Sequence, residues 1–252
     1  MSSTERLEFV GAAGAKLAGV LHVPRGRPSG SALLAHCFTC SKDLHTVTRL
    51  SRTLADGGYA ALRFDFTGLG ESGGDFGGTT VATNVGDLTR AAVALMERGY
   101  GPCALVGHSL GGAASLLAAH RLKTVHDVIV IGAPSSPDHL RHLLRHDEAE
   151  IRRFGTVEVS IGGRAFPISV GFLDDLAGHD QDLRVADLGR PLLIVHAVDD
   201  EVVPIQEGER IFLTARQPKG FLPVLAADHL LTDPSAADAV GRVVLAWLDS
   251  TR

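Results

Sequence analysis

With 252 residues, 45% of them hydrophobic and 21% charged, the chain has the composition of an ordinary globular domain, which excludes a disordered or fibrous protein. A net charge of -5 without any long run of Lys or Arg removes the electrostatic footprint of a nucleic-acid binder. No stretch approaches a membrane span, residues 1–10 carry Glu5, Arg6 and Glu8 rather than a signal-peptide apolar run, and three cysteines are too few to staple a fold of this size. A cytoplasmic protein held together by burial is therefore expected.

In chain order, residues 7–10 and 17–23 read as a hairpin around a Gly-rich turn, and 32–35 as a buried strand. A loop over 36–43, a helix over 44–56 stopped by Gly57 and Gly58, and a strand over 59–64 complete a βαβ unit. A Gly-rich loop over 65–79, a helix over 81–98, a strand over 103–106 and an Ala/Leu-rich helix after Ser109 make a second. Residues 128–131 and 192–195 are short apolar runs of the kind found in central parallel strands. The interval between them is too long for a loop, so about 134–189 is expected to be a cap, with a helix over 138–154 and a hairpin of 157–161 and 164–169 turning at Gly162-Gly163. A helix over 206–215, a strand over 221–225 and an amphipathic helix over 234–248 close the chain. The expected architecture is one α/β domain over 1–252, a mostly parallel central sheet flanked by helices, with a small inserted cap.

Gly107-His108-Ser109-Leu110-Gly111 follows an apolar strand and opens a helix, the context of a nucleophile elbow. In isolation a serine capping a helix behind a glycine turn would look the same. A serine hydroxyl is a poor nucleophile at neutral pH and needs a base, itself oriented by an acid, in the chain order Ser, acid, His. His229 follows the strand at 221–225, and Asp199 and Asp200 follow the strand at 192–195, so base and acid both fall at strand carboxyl ends. Asp228 reads as a turn residue. An oxyanion hole takes one amide after the nucleophile and one from the loop after the third strand, positions held by Leu110 and Phe38.

With these residues in place the chain resembles the α/β-hydrolase superfamily along nearly its full length. The runs His36-Cys37-Phe38-Thr39-Cys40-Ser41-Lys42-Asp43, Arg63-Phe64-Asp65-Phe66-Thr67-Gly68-Leu69-Gly70-Glu71-Ser72, Gly107-His108-Ser109-Leu110-Gly111-Gly112 and Ala227-Asp228-His229-Leu230-Leu231 resemble the hydrolase half of bacterial α/β-hydrolase/OsmC fusion proteins. The Arg63-Phe64-Asp65-Phe66 segment and the cap hairpin are also similar to bacterial feruloyl (cinnamoyl) esterases. The resemblance implies the α/β-hydrolase fold and a serine carboxylesterase for small to medium acyl or aromatic esters, with Ser109, Asp200 and His229 catalytic and no cofactor. It selects Asp200 over Asp199, because Asp200-Glu201-Val202-Val203-Pro204 has the family's Asp-x-Val-Val-Pro form. It departs from the family's His-Gly-Phe at His36-Cys37-Phe38, which is expected to narrow the acyl pocket or alter its loop. His36, Cys37 and His108 are expected to bind substrate.

The fusion proteins carry a second, OsmC-like peroxide-reducing domain that is not expected within these residues, so a competing reading is a hydrolase-fold partner module for a separate protein of that kind. Thioesterase, amidase or perhydrolase chemistry stays open on the same residues, as does a homodimer. Cys37 and Cys40 have redox-motif spacing but no thioredoxin-like helix start, and are expected to pack in the oxyanion loop. His139, His142 and His146 would share one face of the expected cap helix, more simply a solvated face than a metal site, and the glycines at 68–74 lack a phosphate-cradle spacing.

Overall fold

The computed structural model describes residues 2–101 and 103–251. Strands β1 (Ser3–Val10) and β2 (Lys16–Val23) open the chain, followed by β3 (Gly30–Ala35), α1 (His45–Asp56), β4 (Tyr59–Phe64), α2 (Val81–Glu97), β5 (Cys103–His108), α3 (Leu110–Ala119) and β6 (Val125–Ile131). An inserted segment carries α4 (Arg141–Leu144), α5 (Glu148–Phe154), β7 (Thr156–Ile161), β8 (Arg164–Ser169), α6 (Val170–Leu176) and α7 (Gln181–Ala186). The chain returns through β9 (Leu192–Ala197), α8 (Ile205–Thr214), β10 (Lys219–Val224) and α9 (Pro234–Ser250).

The described residues form an eight-stranded sheet in the order β1-β2-β4-β3-β5-β6-β9-β10. Its first two pairings are antiparallel, and every pairing from β4 to β10 is parallel. The period of two along a strand sends alternate side chains to opposite faces. In β4, Ala60, Leu62 and Phe64 join the core beneath α2 and α3, whereas Tyr59 and Ala61 join the core beneath α1 and α9. With both faces covered, such strands read as continuous apolar runs, the reason they were recognisable. Among the described residues no helix is long and apolar enough to cross a membrane.

From β3 the chain crosses to β4 on one side and then back to β5 on the other, so the winding direction reverses between β3 and β5. Loops leaving neighbouring strands there diverge and open a crevice at the strand carboxyl ends. The segment after β3 and the turn after β5 both lie at this point.

The inserted segment differs from expectation. The helix expected over 138–154 is a 3-10 turn at Pro137–Leu140 running into α4, followed by a break and then α5. Glu148 and Glu150 in the first turn of α5 and Arg152 and Arg153 in its last complement a helix dipole of its own, and Gly155 at φ 84° stops it. Helices α6 and α7 were not anticipated, because seven and six residues are too few to display a periodicity. Their caps are local, since Ser169 accepts from Phe172 N–H and Asp180 from Leu183 N–H. The hairpin formed as expected, with Thr156 opposite Ser169, Ile161 opposite Arg164, and both turn glycines at positive φ.

Candidate active site

Ser109 sits between β5 and α3 with φ 54° and ψ -123°, a backbone conformation costly for a residue with a Cβ. The glycines around it are required by close approach. A Cβ on Gly107 would lie 2.4 Å from Gly111 O, and one on Gly111 would lie 2.4 Å from His36 O. The turn is fixed further by Ser109 N–H donating to Ile131 O at 2.8 Å and Gly112 N–H donating to Ser109 O at 2.9 Å. Leu110 is the first residue of α3, so its N–H has no intrahelical acceptor.

The loops after β9 and β10 bring Asp200 and His229 together, with His229 Nδ1 2.7 Å from Asp200 Oδ2. Asp200 Oδ1 accepts from the N–H groups of Val202 and Val203 at 2.9 and 2.8 Å. Burial pushes the Asp200 carboxyl up, but the His229 hydrogen bond and these two amides outweigh it and hold the carboxyl below its ordinary value. Asp199 is exposed and takes no part. Asp228 caps its own turn, accepting from Thr232 N–H and Oγ1–H at 2.7 Å each. Gly132 leaves room behind the pair, since a Cβ there would stand 3.3 Å from His229 Nδ1 and 3.4 Å from Asp200 Oδ2.

Of the three residues expected to bind substrate, His36 and Cys37 line the small cavity beside Phe38 and Leu110, and His108 is not among its lining residues. His108 is buried, its Nε2 bonded to His229 O at 2.8 Å, so the residue before Ser109 holds the backbone of the His229 loop. Burial, then the nearby His229, push its pKa down to about 3, leaving the ring neutral near pH 7. His36 is buried edge-on to Phe66, with Nδ1 2.8 Å from Cys37 O and Nε2 accepting from Phe66 N–H at 3.3 Å. It joins the loop after β3 to the loop after β4. Cys37 is bonded to Cys40 as a disulfide, rather than packing as a free thiol. A four-residue turn puts their Cα atoms 5.3 Å apart, within bridging range. Spacing alone did not reveal this, because the backbone turn decides it.

Phe38 lies between the two cysteines, and among the described residues its N–H has no protein acceptor. Its ring stacks on Phe172 of α6 at 5.2 Å and lies 5.9 Å from Phe76, which meets Phe166 of β8 at 5.3 Å. Phe38, Phe76 and Phe172, with Cys37, Leu69, Leu110 and polar neighbours such as Asn84, line a cavity of about 10 Å³, room for about one water, beside the two residues that carry the candidate oxyanion amides.

Residues not anticipated from sequence brace the site. His196, fully buried, puts Nε2 2.8 Å from Val203 O and 3.7 Å from Asp200 Oδ2, supporting the acid loop. Lys42, also buried, closes the far end of the Phe38 loop by donating from Nζ to Asp65, Glu71 and Asp43 at 2.9, 2.7 and 3.1 Å. Burial would lower the Lys42 pKa, but the three carboxylates raise it overall. Arg63 donates to Asp43 and to Lys42 O. A polar residue ending a buried run, as His196 and Asp65 do, was the available signal. The histidine face does not form as expected: His139 and His142 meet edge-on at 5.3 Å, and His146 pairs with Arg145 within the break. Among the described residues no group of three or more His, Cys, Asp and Glu could hold a metal ion.

Residues 32–247 match the alpha/beta hydrolase family. The chain is 31% identical over 174 residues to protein ABHD12B of Homo sapiens, covering 67% of this chain and 45% of that protein. It thus spans less than half the length of this curated relative. Among solved structures it is similar to the esterase domain of a Rhodothermus marinus protein, at 38% identity, 98% coverage of both chains and a TM-score of 0.80. Est1E of Butyrivibrio proteoclasticus, solved with ferulic acid bound, shares the fold at a TM-score of 0.80 and 19% identity, covering 96% of this chain and 98% of Est1E.

Proposed function

Since the chain belongs to the alpha/beta hydrolase family, we propose that it is a serine hydrolase that cleaves carboxylic esters through an acyl-enzyme on Ser109. The observation that carries the reading is the His229 Nδ1 to Asp200 Oδ2 contact of 2.7 Å, with the His229 loop joined to the strained Ser109 turn by the 2.8 Å contact of His108 Nε2 with His229 O. The esterase domain at 38% identity supports the ester class, and the apolar rings of Phe38, Phe76 and Phe172 suit an aliphatic or aromatic acyl group. The four motifs at 36–43, 63–72, 107–112 and 227–231 support a position beside the hydrolase half of OsmC fusion proteins. On this reading 1–252 is one hydrolase domain and the inserted segment is its cap.

Asp200 holds the imidazole of His229 with Nδ1–H toward itself, leaving Nε2 as the base. Nε2 takes the Ser109 hydroxyl proton as Oγ attacks the ester carbonyl. The carbonyl oxygen becomes an oxyanion that accepts from the N–H groups of Phe38 and Leu110, each worth about 3 kcal/mol in the transition state. Collapse breaks the C–O bond to the alcohol, which leaves with the proton from His229. Water then attacks the acyl-serine, gives its proton to the same nitrogen, and the acid departs as Ser109 regains its hydrogen.

Hydrolysis of p-nitrophenyl esters from acetate to long acyl chains, and of methyl ferulate, tests the reading in wild type and Ser109→Ala. Turnover by wild type that disappears in the variant is expected, together with fluorophosphonate labelling of Ser109. No turnover of any ester and no labelling would favour the partner-module alternative.

A further inference from the structure

The Cys37–Cys40 bridge spans Phe38, whose N–H is one of the two candidate oxyanion donors. A link closing so short a loop removes little chain entropy compared with one closing a long loop, so its main effect is local. The loop is anchored on either side without it. His36 holds the near end through Cys37 O and Phe66 N–H, and Lys42 holds the far end through Asp65 and Glu71. The segment whose shape depends on the bridge is therefore Cys37 to Cys40 itself. Within it Thr39, a β-branched residue, sits at φ 60°, a conformation such residues avoid unless held. The other closure of this turn is the Cys40 N–H to Cys37 O hydrogen bond at 3.2 Å. Cys37 is buried, whereas Cys40 is part-exposed.

We propose that Cys37 and Cys40 form a redox-active site that exchanges with a dithiol reductant, and that opening the bridge withdraws the Phe38 amide from the oxyanion position. A thiolate of the reductant attacks Cys40 Sγ, the bond between the cysteines breaks, and Cys37 Sγ leaves as a thiolate that takes a proton. The second thiol of the reductant attacks the mixed disulfide and releases Cys40 as a thiol. Two electrons and two protons enter the protein, and the reductant leaves as its own disulfide; a small-molecule disulfide reverses the sequence. Once open, the turn lets Thr39 leave the left-handed region, which reorients the Phe38–Thr39 peptide unit, and the chain between it and the Cys37 anchor adjusts at Phe38, so that the Phe38 N–H shifts in turn. The bridged form is the active one.

This inference rests on the esterase reading, and the experiment separates the two. The Cys103→Ser protein, which leaves two thiols to count, is assayed on p-nitrophenyl butyrate oxidised, reduced with dithiothreitol, and reoxidised with oxidised glutathione. Reduction is expected to expose two thiols and lower kcat by about 5- to 50-fold, less than deleting an oxyanion donor, with KM within about 2-fold because that contact forms in the transition state. Reoxidation restores the rate, and Cys40→Ser stays at the reduced value whatever the treatment. Two exposed thiols with unchanged kcat overturn the inference alone, as does a bridge that dithiothreitol leaves closed in the folded protein. A loss of rate that tracks a loss of the far-ultraviolet circular dichroism signal also overturns it. Oxidised protein that neither turns over esters nor labels at Ser109 overturns the esterase reading, and this inference with it.

Discussion

At the scale of single residues, two adjacent carboxylates differ in everything but their chemistry. The Asp200 side chain is fully buried and accepts from His229 and two amides, whereas Asp199 points to solvent. Asp200→Asn should keep the fold and lower kcat on a p-nitrophenyl ester by about 10³- to 10⁴-fold, because an amide at Oδ2 favours the wrong imidazole tautomer. Asp199→Asn should stay within about 2-fold of wild type, since an exposed acid without partners contributes little. Comparable losses in the two variants would contradict the assignment. Lys42 offers a second contrast: its Nζ meets the fully buried carboxylate of Asp65 and the mostly exposed one of Glu71. Lys42→Met strands a buried charge and should cost about 3–5 kcal/mol in urea unfolding. Glu71→Gln should shift the urea midpoint far less than Lys42→Met, since solvent screens the exposed carboxylate.

At the scale of elements, the inserted segment meets the loop after β3 through aromatic rings. Phe172 of α6 stacks on Phe38 of the loop after β3, and Phe166 of β8 reaches the same cluster through Phe76. On the ester reading, Phe172 limits the acyl group that fits beside Phe38 and Leu110, where the cavity is only about 10 Å³. Phe172→Ala should therefore raise the ratio of kcat/KM for octanoate over acetate by roughly 10-fold, the scale of a few methylenes in an apolar pocket. An unchanged ratio would place the acyl group elsewhere. This contact joins residues far apart in the chain and left no trace in local pattern. The hairpin that presents Phe166 did leave one, in its alternation and its paired glycines.

At the scale of the whole molecule, packing around the sheet buries imidazoles as neutral groups, and this couples stability to pH. Burial, then the His229 charge, lower His108 to about 3; burial, then the Arg63 charge, lower His22 to about 4; an exposed ring titrates at 6.5. Between pH 6.5 and about 4 the unfolded chain takes up protons that the folded chain refuses, so the stabilisation is complete above 6.5 and is lost as the pH falls. Asp200, held below the ordinary 3.8, adds to the loss at the acid end. The unfolding free energy from urea titration should decline from pH 7 to pH 4, at up to about 1.4 kcal/mol per pH unit for each titrating histidine, and His22→Gln should flatten the decline. A level profile would show that neither ring is kept neutral.

What the sequence by itself determined is what short-range rules govern. Strands buried on both faces must be apolar along their length, so β3, β4, β5, β6 and β9 announced themselves. A turn that forces chain segments within 2.4 Å of where a Cβ would stand admits only glycine, so Gly107 and Gly111 marked the Ser109 turn. The preference for Asp200 over Asp199 came from family resemblance, not from the residues alone. Tertiary structure decided the rest, because distance in space is set by packing and not by spacing along the chain. It brought Asp200, rather than its neighbour, to His229, and bonded the buried rings of His36 and His108 to the backbone of neighbouring loops. It closed Cys37 onto Cys40, split the expected cap helix, and laid Phe172 over the loop that carries Phe38.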